Sequence, residues 1–230
     1  MFEEMFDSFC GLKCSKCELR EEKNCGGCIA SGGKPFHGKC EVADCAISKN
    51  KRFCGECENF PCEILKRYSF GKEHGDNGAR IEHCKELKTE MVKKAREGIN
   101  PIGVCGLHCD NCYFSQWCGG CRSGYNCCSY AILFDDNSCP NVKCAKENNH
   151  IGCYECEKLA DCEIGYYSKK DEYFAKASAL FIVKYGAECY SKAIKQAVDI
   201  GGKEFSDKFF SADAGSIDGA FNLLEKYIVI

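Results

Sequence analysis

The sequence predicts a mainly α-helical and irregular fold, built as two small cysteine-rich modules in tandem followed by a helical C-terminal region. Three observations predict it. Ten cysteines between Cys10 and Cys62 recur between Cys105 and Cys162, in the same order and with nearly the same gaps. Turn-rich stretches such as SGGKPFHGK separate them, where Gly and Pro interrupt any regular element. Beyond Ser168 the cysteine pattern stops and apolar residues recur at helical spacing. The expected boundaries are 1–99 for the first module with a closing helix, 100–167 for the second module, and 168–230 for the helical region.

The chain has 230 residues, of which 24 are cysteine. That exceeds the roughly 8–10% that marks a scaffold dependent on staples. Each module is about half a typical domain and buries too little apolar surface to fold unaided. The staple is either disulfide or metal. The N-terminus, MFEEMFDSFCGLKC, has neither a basic segment nor a continuous apolar one, so no secretory signal is expected. No apolar run is long enough to span a bilayer. A reducing cytoplasm is the expected compartment, and thiols there stay available to metals. The cysteines also fall in CxxC pairs, whose two-residue spacing suits one ion, whereas disulfide scaffolds usually join distant positions. The modules are therefore expected to be metal-stabilised.

Taken in order, Met5, Phe2, Phe6 and Phe9 form an apolar lead-in expected to pack on the first module. Cys14 and Cys17 make the first CxxC, Cys25 and Cys28 the second, Cys40 and Cys45 a looser pair, and Cys54 and Cys57 the third CxxC. Gly26, Gly27 and Gly55 lie inside these loops, where tight turns bring backbone N–H groups to sulfur. EILKRYS after Pro61 reads as one or two helical turns. GARIEHCKELKTEMVKKAREG reads as an amphipathic helix, with Ile81, Cys84, Leu87, Met91, Val92 and Ala95 on one face. Asp76 or Asn77 can cap its start and Gly98 its end. Cys84 on that stripe reads as a core residue.

In the second copy, Cys109 and Cys112 match Cys14 and Cys17, and Cys118 and Cys121 match Cys25 and Cys28. Cys139 and Cys144 keep the gap of Cys40 and Cys45, and Cys153 and Cys156 follow as Cys54 and Cys57 do. A longer loop adds Cys127 and Cys128. Cys10, Cys62, Cys105 and Cys162 are additional candidate ligands, left over when the others are sorted into pairs. The C-terminal region reads as helices over 171–186 and 187–201, with two shorter ones over 203–211 and 216–228. Its aromatics and Cys189 are expected in the core, with an aromatic protein-binding surface as the alternative.

Thiolates at CxxC spacing suit Zn²⁺ in closed, structural tetrathiolate sites. Iron–sulfur clusters use the same residues and are the rival reading. The run C-x3-C-x2-C in CGLKCSKC fits a cluster, but the ferredoxin run C-x2-C-x2-C is absent. Dithiol redox chemistry is disfavoured, since there are many pairs and no βαβ pattern. His37 and His108 lie near cysteines and are expected to be exposed loop residues rather than ligands. No nucleophile–histidine–acid set, phosphate-binding loop or dinucleotide motif appears, so no catalytic site is expected. The net charge of −3, made more negative by about −2 for each filled tetrathiolate site, argues against nucleic acid as a partner.

The pattern CGLxCxxC, CxGC, a spaced pair, CxxC and Phe60-Pro61-Cys62 resembles a prokaryotic cysteine-rich family catalogued as a domain of unknown function. The resemblance covers 9–98, including His74-Gly75-Asp76-Asn77-Gly78, and again 104–162, where FPC and the His-Gly segment are missing. It implies zinc binding and brings no established activity. The expected function is thus that of a zinc protein with structural sites, acting as a protein-binding adaptor through its helical region. An iron–sulfur electron-transfer component and a metal storage or delivery protein are the alternatives.

Overall fold

The computed structural model describes residues 5–73, 75–112, 114–125, 131, 134 and 138–228. Phe2, His74, Cys127 and Cys128 lie outside the described residues. The fold is mainly helical. Eight α-helices are described: α1 (Leu19–Glu22), α2 (Glu41–Ser48), α3 (Glu63–Ser69), α4 (Ala79–Arg96), α5 (Pro140–Glu147), α6 (Phe174–Tyr185), α7 (Ala187–Phe209) and α8 (Ile217–Glu225). Among the described residues there is no strand, and β pairing amounts to an isolated antiparallel bridge between Ile102 and His108. No helix is long and apolar enough to cross a membrane, again among the described residues. The chain divides into two units, Met1–Met91 and Val92–Ile230.

In the first unit the core is made by the inner faces of short helices and by single aromatic plugs. Val42, Ala43 and Ala46 of α2, Phe53, and Leu65 of α3 are buried. On α4, Ile81, Cys84, Leu87 and Met91 are buried at the spacing the amphipathic pattern requires. The lead-in packs as expected, with the Phe6 ring stacked on Phe53 at 5.6 Å. The start of α4 is fixed by Asp76. Its carboxylate accepts from the Arg80 backbone N–H at 3.2 Å, from Arg80 Nε at 2.7 Å and from the Ser69 hydroxyl at 2.6 Å. Asn77 instead adopts φ 54°, so of the two candidate caps Asp76 holds the position.

The second unit places a compact helical layer against its own cysteine-rich loops. Phe174, Phe181, Tyr190, Ile194, Phe209 and Leu224 of α6, α7 and α8 are buried in one cluster, which also takes in Ile102 and Leu107. Tail aromatics are therefore core residues here, and Cys189 packs at the edge of the same cluster. The expected end of one helix at Gly201 and start of the next at 203 are met: α7 is kinked at Gly202 (φ 53°, ψ −136°), where two helical segments ending at Phe209 adjoin. Ser216 caps α8 by accepting from the Gly219 N–H at 2.9 Å.

Candidate metal centres

Local geometry decides where each cysteine points. Cys14–Lys16, Cys54–Glu56, Cys109–Asn111 and Cys153–Glu155 are single 3₁₀ turns. Three residues make one turn of that helix, so side chains at i and i+3 lie one above the other. Each turn therefore brings both sulfurs of its CxxC to one side: Cys14 with Cys17, Cys54 with Cys57, Cys109 with Cys112, and Cys153 with Cys156. In the first, second and fourth of these the second cysteine's N–H closes on the first one's carbonyl at 3.2, 3.0 and 3.1 Å.

The CGGC segments use backbone donors instead. The Gly120 N–H donates to Cys118 Sγ at 3.3 Å, and the Val104 N–H to Cys121 Sγ at 3.1 Å. In the first unit the N–H groups of Gly27 and Phe36 donate to Cys25 and hold its thiol below its usual pKa. Such N–H···S bonds stabilise the thiolate form that a metal requires.

The thiols collect in four pockets. In the first unit, Cys10, Cys14, Cys17, Cys25, Cys28 and Cys40 line a cavity of about 110 Å³ together with Arg20 and Arg80. Cys45, Cys54, Cys57 and Cys62 line a second one of about 20 Å³. In the second unit, Cys105, Cys109, Cys112, Cys118 and Cys121 line a cavity of about 40 Å³. Cys144, Cys153, Cys156 and Cys162 line one of about 30 Å³, with His150 at its edge. Cys139 lines neither of these two cavities, and its Sγ lies 4.0 Å from Asn141 Oδ1. None of the ten repeated cysteines of the first unit is joined in a disulfide, and neither are Cys144, Cys153, Cys156 and Cys162. Among the described residues, no three His, Cys, Asp or Glu side chains are drawn together into a finished cage for an ion.

Burial and mutual repulsion push the thiols up in pKa. Cys28 rises to about 11 through desolvation, helped by Cys10, Cys14 and Cys40. Cys109 reaches about 12 through desolvation and the neighbouring Cys121, Cys112 and Cys118. Cys153 reaches about 11 through desolvation, with Cys162 and Cys144 adding to it. Thiols that resist ionising next to one another are stabilised as thiolates by a shared cation, so the donor set fits a soft divalent ion.

Two expectations are corrected. Cys40 and Cys45 are not a pair in space. Cys40 precedes the first residue of α2 and Cys45 lies within it, and they line different pockets. His108 is not an exposed loop residue. It is 9% exposed, its backbone N–H donates to the Tyr190 hydroxyl at 3.2 Å, and its buried Nδ1 finds no hydrogen-bond partner among the described residues. Desolvation holds its pKa below the usual histidine value. The sequence carried no signal for this, because the burial comes from α7 some eighty positions downstream. His37 is exposed as expected, on the rim of the larger cavity. Cys84 is fully buried, and desolvation together with Cys10 raises its pKa to about 12.

Residues 6–67 match the model of a family described as "Protein of unknown function (DUF3795)". The match covers the first ten-cysteine motif and ends within α3. No curated protein and no solved structure matches the chain.

Proposed function

We propose that this is a metal-binding protein whose cysteine modules hold Zn²⁺ in closed, structural sites, and whose ligand is another protein. The observation that carries the reading is that cysteines from separate local elements line shared pockets. Cys45, Cys54, Cys57 and Cys62 are drawn from α2, a 3₁₀ turn and the residue before α3. Four thiolates are the donor set of a structural zinc site, and N–H donors to sulfur recur in other pockets, at Cys25, Cys118 and Cys121. Bound zinc would supply folding free energy to modules whose apolar cores are small.

The tandem arrangement is supported by hydrogen bonds that recur at matched positions. The Cys54 N–H donates to Phe9 O and the Cys153 N–H to Val104 O, both at 2.7 Å. Glu56 accepts from the Arg52 N–H at 2.9 Å, and Glu155 from the Ile151 N–H at 2.6 Å. Asn50 and Asn149, each just after the helix that carries the fifth-spaced cysteine, take φ 52° and 57°. The adaptor role is supported by Val183 and Ile200, large apolar side chains that the helical region leaves well exposed.

A second reading is favoured by one observation. The six-cysteine cavity of the first unit, at about 110 Å³, is roomier than the others and contains the C-x3-C-x2-C run, as a polynuclear iron–sulfur group would need. Metal analysis and the visible spectrum of chain purified without oxygen test both. About four zinc ions per chain in a colourless solution, one for each thiol-lined pocket, is the expected result. Iron with acid-labile sulfide and absorption that bleaches on reduction would replace zinc by the cluster reading. Chain that carries neither would sink the metal reading altogether.

A further inference from the structure

The ten repeated cysteines of each module are divided by one helix. In the first unit that helix is α2, with Cys40 as the residue before its first turn and Cys45 inside it. Five steps of about 100° place the two side chains about 140° apart around the axis. They cannot converge on one ion without unwinding the helix. Cys40 accordingly lines the cavity of Cys10, Cys14, Cys17 and Cys28, and Cys45 lines that of Cys54, Cys57 and Cys62. The arrangement recurs around α5, where Cys139 precedes the first turn and Cys144 lies inside. Cys144 lines the cavity of Cys153, Cys156 and Cys162.

We propose, on the basis of the metal reading above, that Cys45, Cys54, Cys57 and Cys62 form one single-ion tetrathiolate site, that Cys144, Cys153, Cys156 and Cys162 form a second, that Cys40 belongs to a separate site, and that Cys139 is no ligand of the second. Cys62 and Cys162 are then fourth ligands rather than surplus thiols. Size agrees with a single occupant. Cavities of about 20 and 30 Å³ hold roughly one atom-sized guest, since one water needs about 10–15 Å³ on the same footing. Charge agrees as well in the first unit. Lys49 stands at the edge of the four-thiol cavity, where it offsets part of the roughly two negative charges of a filled site, while Lys51 beside it is paired with Glu58 at 2.8 Å. Position 62 is also held in place: Cys62 is the residue from which α3 starts, and its carbonyl accepts the Lys66 N–H at 3.0 Å. On the second copy the following segment is tied down instead, by Asn141 to Ile164 O at 3.0 Å and to the Tyr166 N–H at 2.7 Å.

The test is metal counting by native mass spectrometry on the full chain, loaded with zinc, for Cys45→Ser, Cys62→Ser, Cys40→Ser and their pairs. The expected result is that Cys45→Ser, Cys62→Ser and the double variant each lose the same single zinc, whereas Cys40→Ser with Cys45→Ser loses more than either alone. Full zinc retention by Cys62→Ser, or equal loss in Cys40→Ser, Cys45→Ser and their double variant, would overturn the partition while leaving the metal reading intact. Wild-type chain without bound metal would overturn the metal reading itself. Should the variants fail to fold, the wild-type chain serves. Stepwise chelation followed by alkylation and peptide mapping should label Cys45, Cys54, Cys57 and Cys62 together. Labelling of Cys40 in step with Cys45 would overturn the proposal.

Discussion

Replacing Tyr190 by Phe isolates a single hydroxyl at the place where the helical layer meets the cysteine loops of the second unit. The ring is fully buried on α7, and the hydroxyl donates to Ser178 Oγ at 3.0 Å while accepting from the His108 N–H at 3.2 Å. Desolvation raises its pKa, so it stays a neutral donor at any working pH. Phe fills the same volume and leaves no cavity, but strands a buried backbone N–H next to Cys109. Leaving one buried group unsatisfied costs about 1–3 kcal/mol. At about 2–4 °C per kcal/mol for a chain of this size, the melting temperature should fall by about 2–12 °C. Thermal unfolding of the metal-loaded chain, kept anaerobic, measures it. Tyr173→Phe is the control. Its hydroxyl bonds Asp171 at 3.1 Å at the surface, and the change should stay within about 0.5 kcal/mol. Ser178→Ala completes a double-mutant cycle, with an expected coupling of at least about 0.5 kcal/mol. A Tyr190→Phe change no larger than that of Tyr173→Phe would refute the argument that this hydroxyl ties the loop to the helices.

Three more outcomes are expected. Asn141→Ala should cost about 2–3 kcal/mol, because the buried amide holds both Ile164 O and the Tyr166 N–H, and it should speed alkylation of the nearby Cys162 in peptide maps. Gly106→Ala should cost more than about 2 kcal/mol in urea unfolding. The position needs φ 89°, and an added Cβ would meet the α6 backbone at Ala179 N within 2.7 Å, whereas Gly98→Ala, at φ 73° with open space around it, should cost about 1–2 kcal/mol. The metal-free chain should lose stability as pH rises from about 9 to about 11. Cys28 and Cys153 titrate near 9.0 when unfolded and near 11 when folded, so the folded state binds more protons across that window and deprotonation favours unfolding. Chemical denaturation of the chelator-treated, reduced chain at pH 8 and pH 11 reads it, and equal stability at the two would count against the buried thiol clusters.

The helices with a wide apolar stripe were legible in the sequence. Ile81, Cys84, Leu87, Met91 and Val92 recur at a spacing that only a helix turns to one side, and all five are buried. The C-terminal helices were legible for the same reason, and so was the break in α7, which the Gly201-Gly202 pair marks and where Gly202 kinks the chain. The partition of the thiols was not. Adjacent CxxC pairs look alike on paper, and the four-residue gap of Cys40 and Cys45 reads as a loose pair until α2 is known to begin at Glu41. Nothing local marks that start, since Cys40 makes no side-chain cap to the helix. The 3₁₀ turns of Cys14, Cys54, Cys109 and Cys153 are too short to leave a periodic trace. The burial of His108 depends on Tyr190, a contact of long sequence separation that no window of residues contains.

The seating of α2 between two thiol pockets has a thermodynamic consequence. At eight residues it is well below the roughly 12–15 at which a helix persists alone, and Val42, Ala43 and Ala46 give it only small side chains to bury. Whatever fixes Cys45 also orders the turn that presents Cys40, and the entropy lost in the first event is not lost again in the second. If the two pockets hold metal as proposed, filling one lowers the ordering cost left for the other by the same factor in both directions, while each ion stays separately removable.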